Sequence, residues 1–141
     1  MRYLLDTNIV IFFTTNHSNL SKDVIALLQD TDNVLCVSAE TIREIIVLYK
    51  NKGFTSKHWK TCDAFIESLE KTFGIITLPL DKNVMKTYAN LTLNEHQGHK
   101  DPSDHVIIAH AITLKMPLIS SDTRFPFYKK QNLDLIFNKK Y

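Results

Sequence analysis

Four carboxylates in this sequence stand where apolar runs end or inside helical patterns, and together they have chemical potential. Asp6 follows Tyr3-Leu4-Leu5, and Asp122 follows Leu118-Ile119 by way of Ser120 and Ser121. Glu44 lies within the pattern Glu40 to Tyr49, and Asp104 lies in the opening turn of the pattern Pro102 to Lys115. Acids gathered into one pocket repel and raise one another's pKa, so a divalent cation is the economical reason to assemble them. Ligation by oxygen alone selects hard ions, Mg²⁺ or Mn²⁺, over zinc. Such a centre suits hydrolysis of a phosphodiester, because the cation lowers the pKa of a bound water and offsets charge on a phosphorane-like transition state.

Each acid also has an ordinary structural use. Asp6 and Asp122 occupy strand ends, where Asp commonly caps a helix or closes a turn. Asp101-Pro102 followed by an acid at position 104 is a good helix start whatever the function, and Asp101 is assigned to capping. Asp104 shares its side of the helix with Ile108 and Ala111, so it points inward and needs a partner. Glu44 falls opposite the core stripe Ile42, Ile45, Ile46 and Tyr49, as a solvated residue would. Val47 and Leu48 on its own side argue against plain solvent there, and the like charge of Glu40 one turn back calls for a cation between them. Arg43 meets that need only in part, and Glu40 is a rival for the same role.

The elements that must position these acids follow from hydrophobic patterning. Tyr3 to Leu5, Val34 to Val37, Ile75 to Leu78 and Leu118 to Ile119 are unalternating apolar runs, which suits strands buried on both faces of a parallel sheet. Leu133 to Phe137 predicts a last edge strand. Helical patterns fill the intervals at Lys22 to Leu28, Glu40 to Tyr49, Lys57 to Lys71, Asn83 to Leu93 and Pro102 to Lys115. Alternating strands and helices predict a three-layer α/β arrangement, in which ligands collect beyond the carboxyl ends of the strands. Asp6 and Asp122 would both lie at that edge.

Composition narrows the remaining choices. With 141 residues, 44% hydrophobic and 23% charged, the chain reads as one ordinary globular domain, which excludes intrinsic disorder and small disulfide scaffolds. Cys36 and Cys62 form no C-x-x-C pair and read as reduced thiols. The run Ile9 to Phe13 is far shorter than the roughly 20 residues of a bilayer-spanning helix. Asp6 and Asn8 also interrupt any signal-like opening, so a cytoplasmic protein with no membrane association is expected. The net charge of +2 says little alone, but without the four acids the remainder is more basic, which suits a polyanion. Glu95-His96-Gln97-Gly98-His99 has the wrong order for a zinc H-E-x-x-H helix and contains Gly98, so these are expected to be loop histidines near the mouth of the site. A phospho-acceptor domain needs an acceptor Asp after a middle strand and a Lys after a late one, where this chain has Ser38, Pro79 and Ser120.

Four segments, in this order and spacing, carry a resemblance across essentially the whole chain. They are Leu4-Leu5-Asp6-Thr7-Asn8; Ser38 followed by Glu44; Asp101-Pro102-Ser103-Asp104 through Ala111; and Pro117-Leu118-Ile119-Ser120-Ser121-Asp122. The sequence resembles the PIN-domain family and, within it, the VapC-type toxins of bacterial toxin-antitoxin pairs. That resemblance implies a single PIN-like nuclease domain over residues 1–141, with a central, mainly parallel sheet of about five strands. It implies an Mg²⁺- or Mn²⁺-dependent endoribonuclease whose four acids map onto Asp6, Glu44, Asp104 and Asp122. Asp6 and Asp104 would be the principal metal ligands, joined by Asp122. Thr7, Asn8 and Ser120 match the polar groups that orient acids and water; Ser120 stands where many relatives carry Thr and keeps the hydroxyl. Arg124 is a candidate phosphate contact, although a surface arginine in a loop is the plainer reading. Lys129, Lys130, Lys139 and Lys140 either extend a basic track or keep the C-terminus soluble. The implied partners are an RNA substrate, a cognate antitoxin and a second copy in a homodimer. Phe54, Trp59 and Phe65 suit docking of a partner helix and core packing equally. A catalytically silent PIN-like scaffold that binds RNA or protein is the alternative, and the presence of all four acids gives it no support.

Overall fold

The computed structural model describes residues 1–51 and 59–139. Five short strands run in parallel: β1 (Arg2–Leu5), β2 (Val34–Ser38), β3 (Ile76–Leu78), β4 (Leu118–Ser120) and β5 (Leu135–Phe137). Their order in the sheet is β3-β2-β1-β4-β5, which places β1 at the centre. Successive side chains on a strand face opposite sides. Leu5, Leu35, Val37 and Ile119 accordingly enter one core, and Leu4, Cys36 and Leu118 enter the other. The apolar runs do not alternate because both faces of the sheet are covered.

Helices α1 (Thr7–Thr15), α2 (Lys22–Gln29), α3 (Ala39–Lys50) and α4 (Cys62–Lys71) supply the first core with Ile9, Val10, Val24, Leu28, Ile45 and Phe65, among others. The second core takes Ile107, Ile108 and Ala111 from α6 (Pro102–Leu114), with Phe125 and Tyr128 from a 3-10 segment, Phe125–Gln131. Helix α5 (Lys82–Ala89) packs against α6. This is the expected three-layer α/β/α arrangement around a five-stranded parallel sheet. Among the described residues, no helix is long and apolar enough to cross a membrane.

Each of these α-helices starts on an Asp, Ser or Thr whose side chain accepts a backbone N–H: Asp6, Ser21, Ser38, Thr61, Asp81 and Asp101. Such caps satisfy donors that the first helical turn leaves without partners. Helix α6 ends in a Schellman arrangement, with Met116 N–H donating to Ala111 O at 3.0 Å and Lys115 N–H to Ile112 O at 3.2 Å. Lys115 consequently takes a left-handed conformation, φ 52°.

Several boundaries differ from the sequence reading. Helix α1 was not expected, because Ile9 to Phe13 is a continuous apolar run with no helical spacing of polar residues. Helix α4 begins at Cys62 on its Thr61 cap, with residues 59–61 outside the helix; the expected start at Lys57 lies outside the described residues. Helix α5 stops at Ala89 rather than Leu93, because Asn90 folds back to donate through Nδ2 to Lys86 O at 2.9 Å. The last strand is shorter than Leu133 to Phe137, since Leu133 packs into the second core ahead of it. Trp59 meets Phe65 edge-on with ring centres 4.8 Å apart and lies 6.2 Å from Phe73, so core packing accounts for both residues. Phe54 and Lys140 lie outside the described residues.

Two substitutions test this packing by urea unfolding. Ile107→Ala removes a fully buried side chain and should cost about 2–5 kcal/mol. Lys115→Gly should raise stability by up to about 1 kcal/mol, since left-handed backbone costs an L residue about 1–2 kcal/mol and glycine's extra unfolded freedom returns part of that.

Candidate metal centre

The chain leaves β1 toward β2 on one side and returns through β4 on the other, so a crevice opens beyond the carboxyl ends of β1 and β4. Asp6, the first residue after β1, is pinned there. Its N–H donates to Ile119 O at 3.0 Å, and its Oδ1 accepts from Thr7 N–H at 2.8 Å as the cap of α1. Ser120, the last residue of β4, donates through Oγ to Asp6 Oδ2 at 2.7 Å and accepts from Asp122 N–H at 3.1 Å. One hydroxyl therefore ties together two of the acids read from the sequence.

Helix α3 brings in the third. The Thr7 hydroxyl donates to Glu44 Oε1 at 2.5 Å and lies 3.1 Å from Thr41 Oγ1. Glu40, one turn earlier, is engaged elsewhere. Its Oε1 accepts from Arg43 and, at 2.8 Å, from Ser103 Oγ, which closes the seam between α3 and α6. That seam holds the start of α6, where Asp104 is buried and Asp101 is exposed.

Two groups of ligand atoms lie within 4.8 Å of one another among the described residues: Glu44, Asp101 and Asp104, and His99, Asp104 and Asp122. Asp104 belongs to both. Asp6 joins neither group, but it is close enough for Asp104 and Asp122 to act on it electrostatically. Asn8 is exposed in the first turn of α1 and, among the described residues, makes no hydrogen bond to the acids. Arg124 grips Asp122 with two bonds, Nε to Oδ1 at 3.0 Å and Nη2 to Oδ2 at 2.7 Å, and its Nη2 lies 3.6 Å from Asp104 Oδ2.

Two residues were underread from sequence. Asp101 does cap α6, through Oδ1 to Ser103 N–H at 2.9 Å, yet it also stands beside Glu44 and Asp104. A capping signal carries no information about that second role. His99 was expected in a loop at the mouth, but it is buried and its Nε2 lies 2.9 Å from Asp104 Oδ2. Gly98, with φ 64°, supplies the left-handed turn that directs His99 inward. His105 and His110 are buried on α6.

The acids are electrostatically uncomfortable. Burial is the largest cause in each case and drives Asp6, Glu44 and Asp104 up to about 7, with neighbouring carboxylates adding to it. For Asp6 the opposing hydrogen bonds come from Ser120 and Thr7, for Glu44 from Thr7. Burial would also raise Asp122, but hydrogen bonds from Arg124 outweigh it and hold that carboxyl below its usual range. The donor set is almost all carboxylate oxygen, with one imidazole, and fits a hard divalent ion.

The chain belongs to the PIN-domain family, whose model matches residues 3–131. No protein among the curated ones matches it. Its fold is similar to VapBC2 from Rickettsia felis bound to a promoter DNA fragment, with TM-score 0.72 and 19% identity over 99% of this chain and 100% of that one. It is similar also to VapBC-1 from nontypeable Haemophilus influenzae, with TM-score 0.69 and 24% identity over 99% of this chain and 100% of that one. A third similar structure is VapBC-5 from Mycobacterium tuberculosis, a member of the VapBC family of toxin-antitoxin systems, with TM-score 0.65 and 21% identity over 96% and 98% of the two chains.

The raised carboxyls set a sign for stability. A group that binds its proton more tightly when folded stabilises the protein fully below its ordinary pKa, and that contribution is lost as pH rises through the folded value. For Asp6, Glu44 and Asp104 the loss runs from about pH 4 to beyond 7. The buried His99, His105 and His110, pushed down chiefly by burial, act oppositely and weaken the fold below about pH 6.5. In EDTA, Asp6→Asn should therefore melt higher than wild type at pH 8, and the gap should close toward pH 5. Circular dichroism melts at both pH values measure this.

Proposed function

We propose that residues 1–141 act as one Mg²⁺- or Mn²⁺-dependent endoribonuclease domain, the toxin of a toxin-antitoxin pair, working in the cytoplasm. One observation carries the reading: carboxylates just beyond β1 and β4 and from α3 and α6 converge at one sheet edge, where burial and mutual charge drive three of them up to about 7. Asp6, Asp104 and Asp122 would hold the ion, with Glu44 completing the acidic set. A divalent cation held there supplies a water of lowered pKa and offsets charge on the pentacoordinate phosphorus.

The chain's own groups do the positioning. Ser120 and Thr7 fix the acids through the hydrogen bonds at 2.7 and 2.5 Å, so their oxygens are oriented before substrate arrives. Asn8, exposed at the start of α1, is assigned to orienting water or RNA rather than the acids. Arg124, held bidentately by Asp122, puts a fixed positive charge beside the crevice for a scissile phosphate. Attack of water on phosphorus in line with the P–O3′ bond breaks that bond, leaving a 5′-phosphate and a 3′-hydroxyl. The similar VapBC structures support an antitoxin partner, one of them being described as a member of a family of toxin-antitoxin systems; that partner would cover the acidic crevice, and the homodimer rests on the family resemblance alone.

The test is cleavage of a labelled structured RNA by antitoxin-free protein. Cleavage should require Mg²⁺ or Mn²⁺ and stop in EDTA. Asp104→Asn, shown by circular dichroism to be folded, should lose more than the about 10–100-fold typical of removing a group that merely supports a ligand. Cleavage that persists in EDTA, or none by folded protein across a panel of RNAs, would overturn the reading.

A further inference from the structure

His99 is the one histidine of the His96 to His110 group that touches an acid of the crevice, and its surroundings dictate which nitrogen carries the proton. Its side chain is fully buried, set against the rings of His105, Phe125 and Tyr128 at 4.6, 5.6 and 5.6 Å. Tyr128 Oη accepts from Asn94 N–H at 3.0 Å and lies 3.0 Å from His99 Nδ1. Among the described residues, Nδ1 is the acceptor within reach of the Tyr128 hydroxyl proton. A proton on Nδ1 would leave that hydroxyl, itself fully buried, with nowhere to donate, which is costly. Tyr128 therefore donates to Nδ1, and the imidazole keeps its proton on Nε2, directed at Asp104 Oδ2 at 2.9 Å.

The loop that carries His99 is fastened at both ends. His99 N–H donates to Asn94 O at 3.0 Å, and Asn94 Nδ2 donates to Arg124 O at 3.1 Å. The chain Asn94–Tyr128–His99–Asp104 thus runs from backbone to carboxylate without a break. It engages Oδ2, and Oδ1 has no hydrogen bond among the described residues.

We propose that His99 is a positioning residue, whose Nε2–H, oriented by Tyr128, holds one oxygen of Asp104 so that the other faces a divalent cation. This rests on the reading of Asp104 as a metal ligand, and it assigns the buried histidine to the carboxylate rather than to the ion.

The experiment measures Mn²⁺ affinity by the loss of the free-ion EPR signal, without RNA, for wild type, Asp104→Asn, His99→Leu, His99→Gln and Tyr128→Phe. His99→Leu should weaken Mn²⁺ binding by about 10–100-fold. His99→Gln, whose amide N–H reaches toward the place of Nε2–H, should recover most of that loss. Tyr128→Phe retains the ring and releases Nδ1, so it should fall between them. The ¹⁵N shifts of His99 should report a protonated Nε2 in metal-free wild type and a tautomer mixture in Tyr128→Phe, which keeps the test decisive if His99→Leu does not fold. Unchanged affinity in folded His99→Leu, equal losses in the Gln and Leu variants, or a protonated Nδ1 in wild type would each overturn the proposal. Equal Mn²⁺ binding by wild type and Asp104→Asn, or none by wild type, would instead strike the metal-site reading, and this proposal with it.

Discussion

Holding several carboxylates side by side in a partly dry crevice is the constraint on which the rest of the structure depends. Two unit charges at about 4 Å repel by about 4 kcal/mol at an effective dielectric near 20, so the fold has to supply compensation locally. It does so with neutral donors more than with cations. Ser120 and Thr7 stabilise Asp6 and Glu44, whereas Arg124 serves Asp122 and stands near Asp104. Glu40 adds its charge to the crowding at Glu44, but its carboxylate is engaged by Arg43 and Ser103. What remains uncompensated is shared among Asp6, Glu44 and Asp104, each raised to about 7.

The same residues that build the crevice also start the helices. Asp6 directly follows β1 and caps α1, and Asp101 caps α6 three residues before Asp104. Helix dipoles favour negative charge at these N-termini, so part of the cost of gathering acids is offset by the peptide groups behind them. Local helix chemistry and the site cannot be separated at these positions. That is why capping statistics predict Asp101 correctly and still miss its second neighbourhood.

Most of the frame was legible because a parallel sheet covered on both faces leaves a strong imprint. Leu4-Leu5, Val34 to Val37 and Leu118-Ile119 are apolar without alternation, and Asp6 and Asp122, beyond the first and last of these runs, could be placed from that alone. Helix α1 escaped because Ile9 to Phe13 presents apolar groups to nearly every side, which erases the helical period. The four acids of the sequence reading lie within electrostatic reach of one another, although Asp6 sits apart from the two tightest groups. His99 escaped for a different reason. Its role depends on Tyr128, 29 positions later, and on a turn at Gly98 whose direction no spacing rule encodes.

Strand order also imposes a timetable. The chain is made from its N-terminus, and β1, β2 and β3 can pair as soon as residue 78 has emerged. The other edge of β1 must then wait for β4, at Leu118–Ser120, before Ser120 can reach Asp6 and Asp122 can follow. A chain grown only through β3 has the strands that flank β1 on one side, and it has Asp6 and Glu44, but the other edge of β1 has no partner. The acidic centre is complete only once residues 101–124 have emerged, so a nascent chain that stops short of them lacks Asp104, Asp122 and Arg124.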